Sequence, residues 1–326
     1  MSCSSNVATP SWPCADAPVS GDTSQSSHRH SRARGAYCRP VIGSQLSPHG
    51  AVRIDLPVPG GPLAALALGP DGASDPVALL LPGYTGSKED FAPLLDPLAA
   101  DGLRVLAVDL PGQHESPGPE RERAYLPDAL GGTVAALVRD LSARHGRVLL
   151  LGHSFGGLVA RAAVLAGAPV RGLTLLGSGP AALPPGERRA VMELAEPIMR
   201  TEGVEAVQLF REARDGLVEP PALAELLRSR FLGSSPAGLL GMATALREEP
   251  DRVDGLAAVL RASGTPSLVV CGADDDAWPV IAQREMADRL GAQFAPVPGA
   301  GHSPNIENPD GLLAALRPVW RRWLAG

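Results

Sequence analysis

The chain has 326 residues, of which 44% are hydrophobic and 20% are charged, and its formal net charge is −6. These values are typical of a soluble globular protein that can bury a sizeable core. A negative net charge gives no electrostatic reason to expect nucleic acid as a partner, so we expect a small-molecule partner.

The four cysteines do not form a recognisable site. Cys3, Cys14 and Cys38 lie near the start of the chain and Cys271 ends an apolar run, which fits neither a disulfide framework nor metal-ligand spacing. The longest apolar runs are as short as strands, and the first residues lack the apolar segment of a secretory signal. We therefore expect a cytoplasmic protein without membrane contact, and the oligomeric state stays open.

Residues 1–48 are interpreted as a disordered leader, or as the product of a start codon assigned too far upstream. Within this segment, residues 24–39 are rich in Ser, His and Arg and contain no acidic residue. Such a composition cannot bury a core. A transit peptide has a similar composition and is the alternative interpretation.

From residue 49 onward, short apolar runs alternate with segments of helical period, which predicts an α/β fold. Residues 52–58 and 63–68 flank Pro59-Gly-Gly-Pro62 and predict an antiparallel hairpin. Six further apolar runs predict parallel strands that are covered on both faces. These runs are Val77 to Leu81, Val105 to Asp109, Val148 to Leu151, Leu173 to Leu176, Ser267 to Cys271 and Gln293 to Val297.

Segments of helical period between these strands predict helices on both faces of the sheet. The predicted helices are residues 88–100, 128–144, 155–166, 281–290 and 309–324. About ninety residues without a strand pattern separate Leu176 from Ser267, and they contain helical patterns at 187–201, 204–215, 221–231 and 236–248. Because this stretch is too long for one crossover, we interpret residues 179–262 as a helical cap inserted after the sixth strand. Residues 49–178 and 263–326 then form the two parts of the core.

The stretch Gly152-His153-Ser154-Phe155-Gly156 lies between a predicted strand and a predicted helix. A turn this sharp crowds the backbone, so glycines on both sides and a strained central residue are expected. The turn would lift the Ser154 hydroxyl clear of the sheet. It would also place the Phe155 N–H at a helix N-terminus, where it can stabilise an oxyanion. The alternative is a serine in an ordinary tight turn.

A serine hydroxyl needs a histidine base and an orienting carboxylate to become a good nucleophile. His302 follows the last predicted strand in a Gly-rich loop, and no other histidine is placed to act as the base. Asp274, Asp275 and Asp276 follow the preceding strand at the same edge. A solvated turn or a divalent-ion loop is the alternative for the three aspartates. No further metal ligands accompany them, so we expect no metal and no cofactor.

From about residue 50 to its end, the sequence resembles the α/β-hydrolase fold family, which carries the motif G-x-S-x-G at its nucleophile. The acid loop of the family often reads G-x-x-D with a proline four residues later, and Gly272, Asp275 and Pro279 match this spacing. The resemblance implies Asp275 as the acid, with Asp274 as the alternative. It also implies a mostly parallel sheet of about eight strands with helices on both faces, and the family's chain order Ser, Asp, His is kept.

Two loops extend this resemblance. Residues 81–87, LPGYTGS, are similar to the H-G-x-x oxyanion loop of the family, with Pro82 in place of His, and imply that the Tyr84 N–H is the second oxyanion donor. Residues 109–116, DLPGQHES, are similar to the D-x-x-G-x-G-x-S turn, with Gln113 and His114 in its middle. We interpret this turn as structural, because Asp109 can hydrogen-bond to its own loop.

The residues at and beside Ser154 and His302 also distinguish subclasses of the family. Epoxide hydrolases and haloalkane dehalogenases have Asp as the nucleophile, where this chain has Ser154. Carbon–carbon-bond hydrolases usually have Asn before the Ser and Trp after the His, where His153 and Ser303 stand here. The resemblance thus implies a serine hydrolase that cleaves a small, mainly apolar carboxylic ester or lactone through an acyl-enzyme. The alternatives are a catalytically silent small-molecule-binding homologue and a carbon–carbon-bond hydrolase or lyase on the same triad.

Overall fold

The computed structural model describes residues 44–215 and 219–326, so most of the predicted leader lies outside the described residues. One sheet of eight strands runs in the order β1-β2-β4-β3-β5-β6-β7-β8. Both pairings of β2 are antiparallel and all later pairings are parallel, which confirms the predicted fold class. The strands are β1 (Val52–Leu56), β2 (Leu63–Leu68), β3 (Val77–Leu81), β4 (Arg104–Val108), β5 (Val148–His153), β6 (Gly172–Leu176), β7 (Ser267–Gly272) and β8 (Gln293–Val297).

The helices connect these strands in chain order. They are α1 (Ala92–Ala100), α2 (Pro127–His145), α3 (Phe155–Leu165), α4 (Glu187–Glu202), α5 (Val204–Asp215), α6 (Pro221–Gly233), α7 (Pro236–Glu248), α8 (Val253–Ser263), α9 (Val280–Leu290), α10 (Pro304–Glu307) and α11 (Pro309–Ala325). Short 3₁₀ helices also occupy Lys88–Phe91 and Glu122–Tyr125. None of the helices in the described part of the chain is long and apolar enough to cross a membrane.

The structure differs from the sequence prediction by one or two residues at several element ends and more clearly at three places. The first strand ends at Leu56 instead of Val58, because Pro57 and Pro59 have no N–H for the ladder. The helix predicted from Lys88 to Ala100 starts as a 3₁₀ turn, and α1 begins anew beside Pro93, which is favoured in a first helical turn. Helix α8 was not predicted, and all of its residues except Ser263 fall within the predicted cap.

Helices cover both faces of the sheet, as the apolar strands require. Side chains of β3 alternate between two cores: Leu79 and Leu81 join the cluster under α2, α3, α8 and α9, whereas Ala78 and Leu80 join the cluster under α1 and α11. This alternation fixes the register, because a slip of one residue would exchange the two faces.

Helices α4 to α7 follow β6 and share a small apolar cluster that includes Met199, Val207 and Phe231. Helix α7 packs against the 3₁₀ helix Glu122–Tyr125, and α8 packs against α3 and α9. The division of residues 179–262 from the core as a cap stays a prediction.

Candidate active site

Ser154 sits on a strained turn where β5 passes directly into α3. Its backbone has φ 54° and ψ −120°, a conformation that non-glycine residues rarely adopt. Gly152 and Gly156, which flank this turn, have no room for a side chain. A Cβ on Gly152 would lie 2.1 Å from the Gly156 oxygen, and a Cβ on Gly156 would lie 2.4 Å from the Pro82 oxygen. The crowding expected from the sequence is therefore present.

The structure brings Ser154, His302 and Asp275 into one hydrogen-bonded line. The Ser154 Oγ is 2.9 Å from His302 Nε2, and His302 Nδ1 is 3.0 Å from Asp275 Oδ1. A carboxylate accepts only, so Nδ1 carries the ring proton and Nε2 accepts from the serine hydroxyl. All three side chains are buried. This is the geometry that activates a serine nucleophile.

Of the three consecutive aspartates, only Asp275 is directed inward. Asp274 and Asp276 are exposed, and Asp276 forms an ion pair with Arg188 at 2.7 Å. Asp275 also accepts the Ala277 N–H on Oδ1 and the Gln283 amide on Oδ2, each at 2.9 Å. Burial opposes its ionisation, but these bonds and the one from His302 hold the pKa of Asp275 below its usual value.

Two side chains hold the loop that carries His302. The Glu307 carboxylate accepts the N–H groups of Gly301 and Ser303, the two neighbours of His302. His153 donates through Nε2 to the His302 carbonyl oxygen at 3.0 Å. Burial, reinforced by His302, lowers the pKa of His153 to about 4, so its ring is neutral at neutral pH.

The two predicted oxyanion donors belong to the two segments that adjoin Ser154. Phe155 is the first residue of α3, and Tyr84 follows Gly83, on which a Cβ would be 3.1 Å from Ser154 Cβ. Within residues 44–215 and 219–326, no protein acceptor takes the N–H of Tyr84 or of Phe155. Both donors are therefore available to a bound oxyanion.

A cavity of about 620 Å³ opens over Ser154 and His302 and is lined by α4, α5 and α6. Its apolar wall includes Leu183, Val191, Met192, Val207, Phe231 and Leu246. Two of the charged groups at its rim neutralise arginines: Asp276 pairs with Arg188, and Asp90 pairs with Arg230 at 2.6 Å.

Comparison with known proteins gives the family. Residues 78–315 match the alpha/beta hydrolase family along their whole length, which is more than half of the chain. The chain belongs to the alpha/beta hydrolase family.

Similar proteins within this family have more than one activity. The chain is 29% identical to the 2-succinyl-6-hydroxy-2,4-cyclohexadiene-1-carboxylate synthase of Escherichia fergusonii, over 76% of this chain and 94% of that one. It resembles a thermophilic esterase from Thermogutta terrifontis with TM-score 0.65 and 25% identity, over 84% and 99% of the two chains. It also shares the fold of the enol-lactonase from Burkholderia xenovorans LB400, with TM-score 0.64, 22% identity and 84% and 100% coverage.

This hydrolase has one cluster of potential metal ligands among its described residues, formed by Glu89, Asp109 and His114. The Lys88 ammonium already lies 2.9 Å from Glu89 and 2.9 Å from Asp109, with only 1% of its side chain exposed. Burial opposes this charge, but Asp109 and Glu89 raise the pKa of Lys88. The position that a cation would take therefore holds an ammonium group.

Sequence reasoning missed Gln283 and Glu307, the side chains that hold the acid and the histidine loop of the hydrolase. Gln283 is fully buried on α9, where Met286, Ala287 and Leu290 form the rest of the inner face. A lone amide within an apolar stripe was the available signal. Glu307 lies in the short helix α10 directly after the His302 loop and carries no such signal.

Proposed function

We propose that the protein is a serine hydrolase that cleaves a small, mainly apolar carboxylic ester or lactone. The observation that carries this proposal is the continuous hydrogen-bonded line from Ser154 through His302 to Asp275. A structural serine has no need of a buried base, a buried acid and two unpaired N–H donors around its hydroxyl.

In the proposed mechanism, His302 Nε2 takes the Ser154 proton while Oγ attacks the substrate carbonyl carbon. The N–H groups of Tyr84 and Phe155 stabilise the resulting oxyanion. Asp275 holds the imidazolium, which then protonates the leaving alcohol oxygen as the ester bond breaks. Water, activated in turn by His302, releases the acid from the acyl-enzyme and restores Ser154.

The walls of the cavity are compatible with an uncharged substrate. More than half of the exposed cavity surface is apolar. Of the four arginines that line it, Arg188 and Arg230 pair with carboxylates and Arg211 lies 4.2 Å from the centre of the Phe231 ring, while Arg214 is the fourth. An anionic substrate would have to compete with these carboxylates for its counter-charges.

A second candidate is a carbon–carbon-bond reaction on the same triad, which the similarity to a carboxylate synthase favours. The esterase from Thermogutta terrifontis, at 25% identity, favours ester hydrolysis instead. A panel of esters of increasing acyl length and of lactones of increasing ring size distinguishes them. Turnover of at least one ester or lactone that is lost in Ser154→Ala supports the first proposal.

A fluorophosphonate probe with intact-mass readout tests whether Ser154 reacts at all. We expect one adduct per wild-type chain and none in Ser154→Ala, because only a deprotonated Oγ attacks phosphorus. Ser178→Ala is the matched control, since Ser178 is also buried but its hydroxyl has no hydrogen bond to His302. Folded wild-type protein that stays unlabelled would instead favour a catalytically silent binding protein.

A further inference from the structure

The side chain of Gln113 connects the turn after β4 to the loop before Ser154. Gln113 is 2% exposed, and its amide Nε2 donates to the Gly83 carbonyl oxygen at 2.8 Å. Its Oε1 accepts the Leu110 N–H at 3.0 Å, so the amide group is held at both ends. The Met242 sulfur, on α7, lies 3.9 Å from the same Nε2.

The Gly83 carbonyl belongs to the same peptide plane as the Tyr84 N–H. None of the described peptide bonds is cis, so the C=O and the N–H of this plane point in opposite directions. Any group that fixes the direction of the oxygen therefore fixes the direction of the N–H. The plane lies against the nucleophile, because a Cβ on Gly83 would be 3.5 Å from Ser154 Oγ.

The Gly83–Tyr84 peptide needs an external hydrogen bond to hold its orientation, because it follows a glycine. Gly83 has no Cβ to restrict its own rotation, so the peptide that follows it can rotate at little cost. Pro82 stands where the family has His, which removes one further backbone N–H from the loop. The second bond to the Gly83 oxygen comes from Gly86 within the same loop, at 3.1 Å, and moves with it. The hydrogen bond from Gln113 is the one that comes from outside this loop.

We propose that Gln113 is a positioning residue that aims the Tyr84 N–H at the oxyanion by holding the Gly83 carbonyl. This inference rests on the proposed function. The turn of residues 109–116 was interpreted from the sequence as structural. Under this inference, Gln113 in the middle of that turn also contributes to stabilising the transition state.

The test compares Gln113→Met and Gln113→Glu with wild type. Met keeps the length of the side chain and removes the donor, and Glu places a carboxylate against the Gly83 oxygen. We expect kcat on the best ester to fall by about tenfold to a hundredfold with KM within about twofold, because the loss is confined to the transition state. The inhibition constant of a trifluoromethyl ketone, which forms a tetrahedral adduct, should rise by the same factor.

Gln208→Met is the matched control, because Gln208 is a buried glutamine on α5 that has no bond to either catalytic loop. It should leave kcat and the ketone affinity within about twofold of wild type. A change in melting temperature without a change in kcat in the Gln113 variants would reduce Gln113 to a structural role and overturn the inference.

A crystal structure of Gln113→Met keeps the inference testable whatever the substrate. It should show the Gly83–Tyr84 peptide rotated or in several orientations. An unchanged peptide overturns the inference even if wild type proves to be inactive. Inactive wild type together with a rotated peptide would count against the proposed function alone.

Discussion

The run Asp274 to Asp276 shows how three identical side chains acquire different chemistry from their surroundings. Asp275 is buried and accepts three hydrogen bonds, from His302, Ala277 and Gln283. Its neighbours face water, where an ion pair such as that of Asp276 with Arg188 contributes little. Only the buried carboxylate can orient the imidazole.

Asp275→Asn is expected to lower kcat by about three to four orders of magnitude while the protein stays folded. An amide that replaces the carboxylate no longer stabilises the imidazolium and can donate a hydrogen bond, which favours the wrong ring tautomer. Steady-state kinetics on the best ester measures the effect. Asp274→Asn and Asp276→Asn are the controls and should stay within about twofold of wild type. A comparable loss of kcat in Asp274→Asn would instead identify Asp274 as the acid of the triad.

At the scale of elements, the site depends on how closely α3 approaches the loop after β3. The first turn of α3 lies against the backbone of that loop, since a Cβ on Gly156 would meet the Leu81 and Pro82 oxygens at 2.6 and 2.4 Å. The two elements that carry the proposed oxyanion donors are thus in close backbone contact. A shift of one displaces the other.

Gly156→Ala is therefore expected to lower the free energy of unfolding by about 2–3 kcal/mol, because neither carbonyl can move without disturbing the sheet. Gly132→Ala is the matched control on α2, where nothing lies within 4 Å of the added methyl group. That substitution should raise stability by about 0.5–1 kcal/mol through helix propensity. Urea denaturation measures both. Equal effects of the two substitutions would contradict the close approach.

The parallel strands could be predicted from the sequence because strands covered on both faces are nearly continuous apolar runs. The ends of some elements and one helix could not be predicted, because proline and glycine residues change the backbone locally. Pro57 and Pro93 moved the ends of two elements, and α8 was overlooked because it starts soon after Pro250 and contains Gly255, both of which read as breakers. The helix is nevertheless amphipathic, because Val253, Leu256 and Leu260 are buried on one face.

The positions of Ser154 and His302 at the carboxyl edge followed from chain order, because parallel strands bring successive loops to the same edge of a sheet. The supporting contacts did not follow. Gln113 reaches Gly83 across 30 residues, and Glu307 acts on backbone N–H groups that carry no side-chain signature. Such bonds depend on how loops fold over the sheet, which hydrophobic periodicity does not encode.

For the molecule as a whole, buried titratable groups make stability depend on pH. The pKa of His153 is lowered from 6.5 to about 4, so between these values the unfolded chain binds more protons than the folded one. Stability contributed by neutral His153 is present above pH 6.5 and is lost as pH falls toward 4. Asp275 also has a lowered pKa, so its contribution is lost only at more acidic pH.

We therefore expect the free energy of unfolding to fall between pH 7 and pH 4.5, and to fall less steeply in His153→Gln. All other ionisable groups are common to the two chains, so the difference between their slopes reports the protonation of His153 together with its effect on the adjacent His302. Urea denaturation at pH 7, 5.5 and 4.5 provides the comparison. Parallel slopes would show that the His153 ring is protonated as easily in the folded chain as in the unfolded one.

Lys88 has a consequence for chemistry in solution. It is the only lysine of the chain, and its ammonium is enclosed by carboxylates directly after the loop that carries Tyr84. Apart from the α-amino group, an amine-reactive reagent finds no other amine. The rate at which Lys88 is acylated therefore measures how often the segment beside Tyr84 opens locally, and it needs neither a mutation nor a substrate.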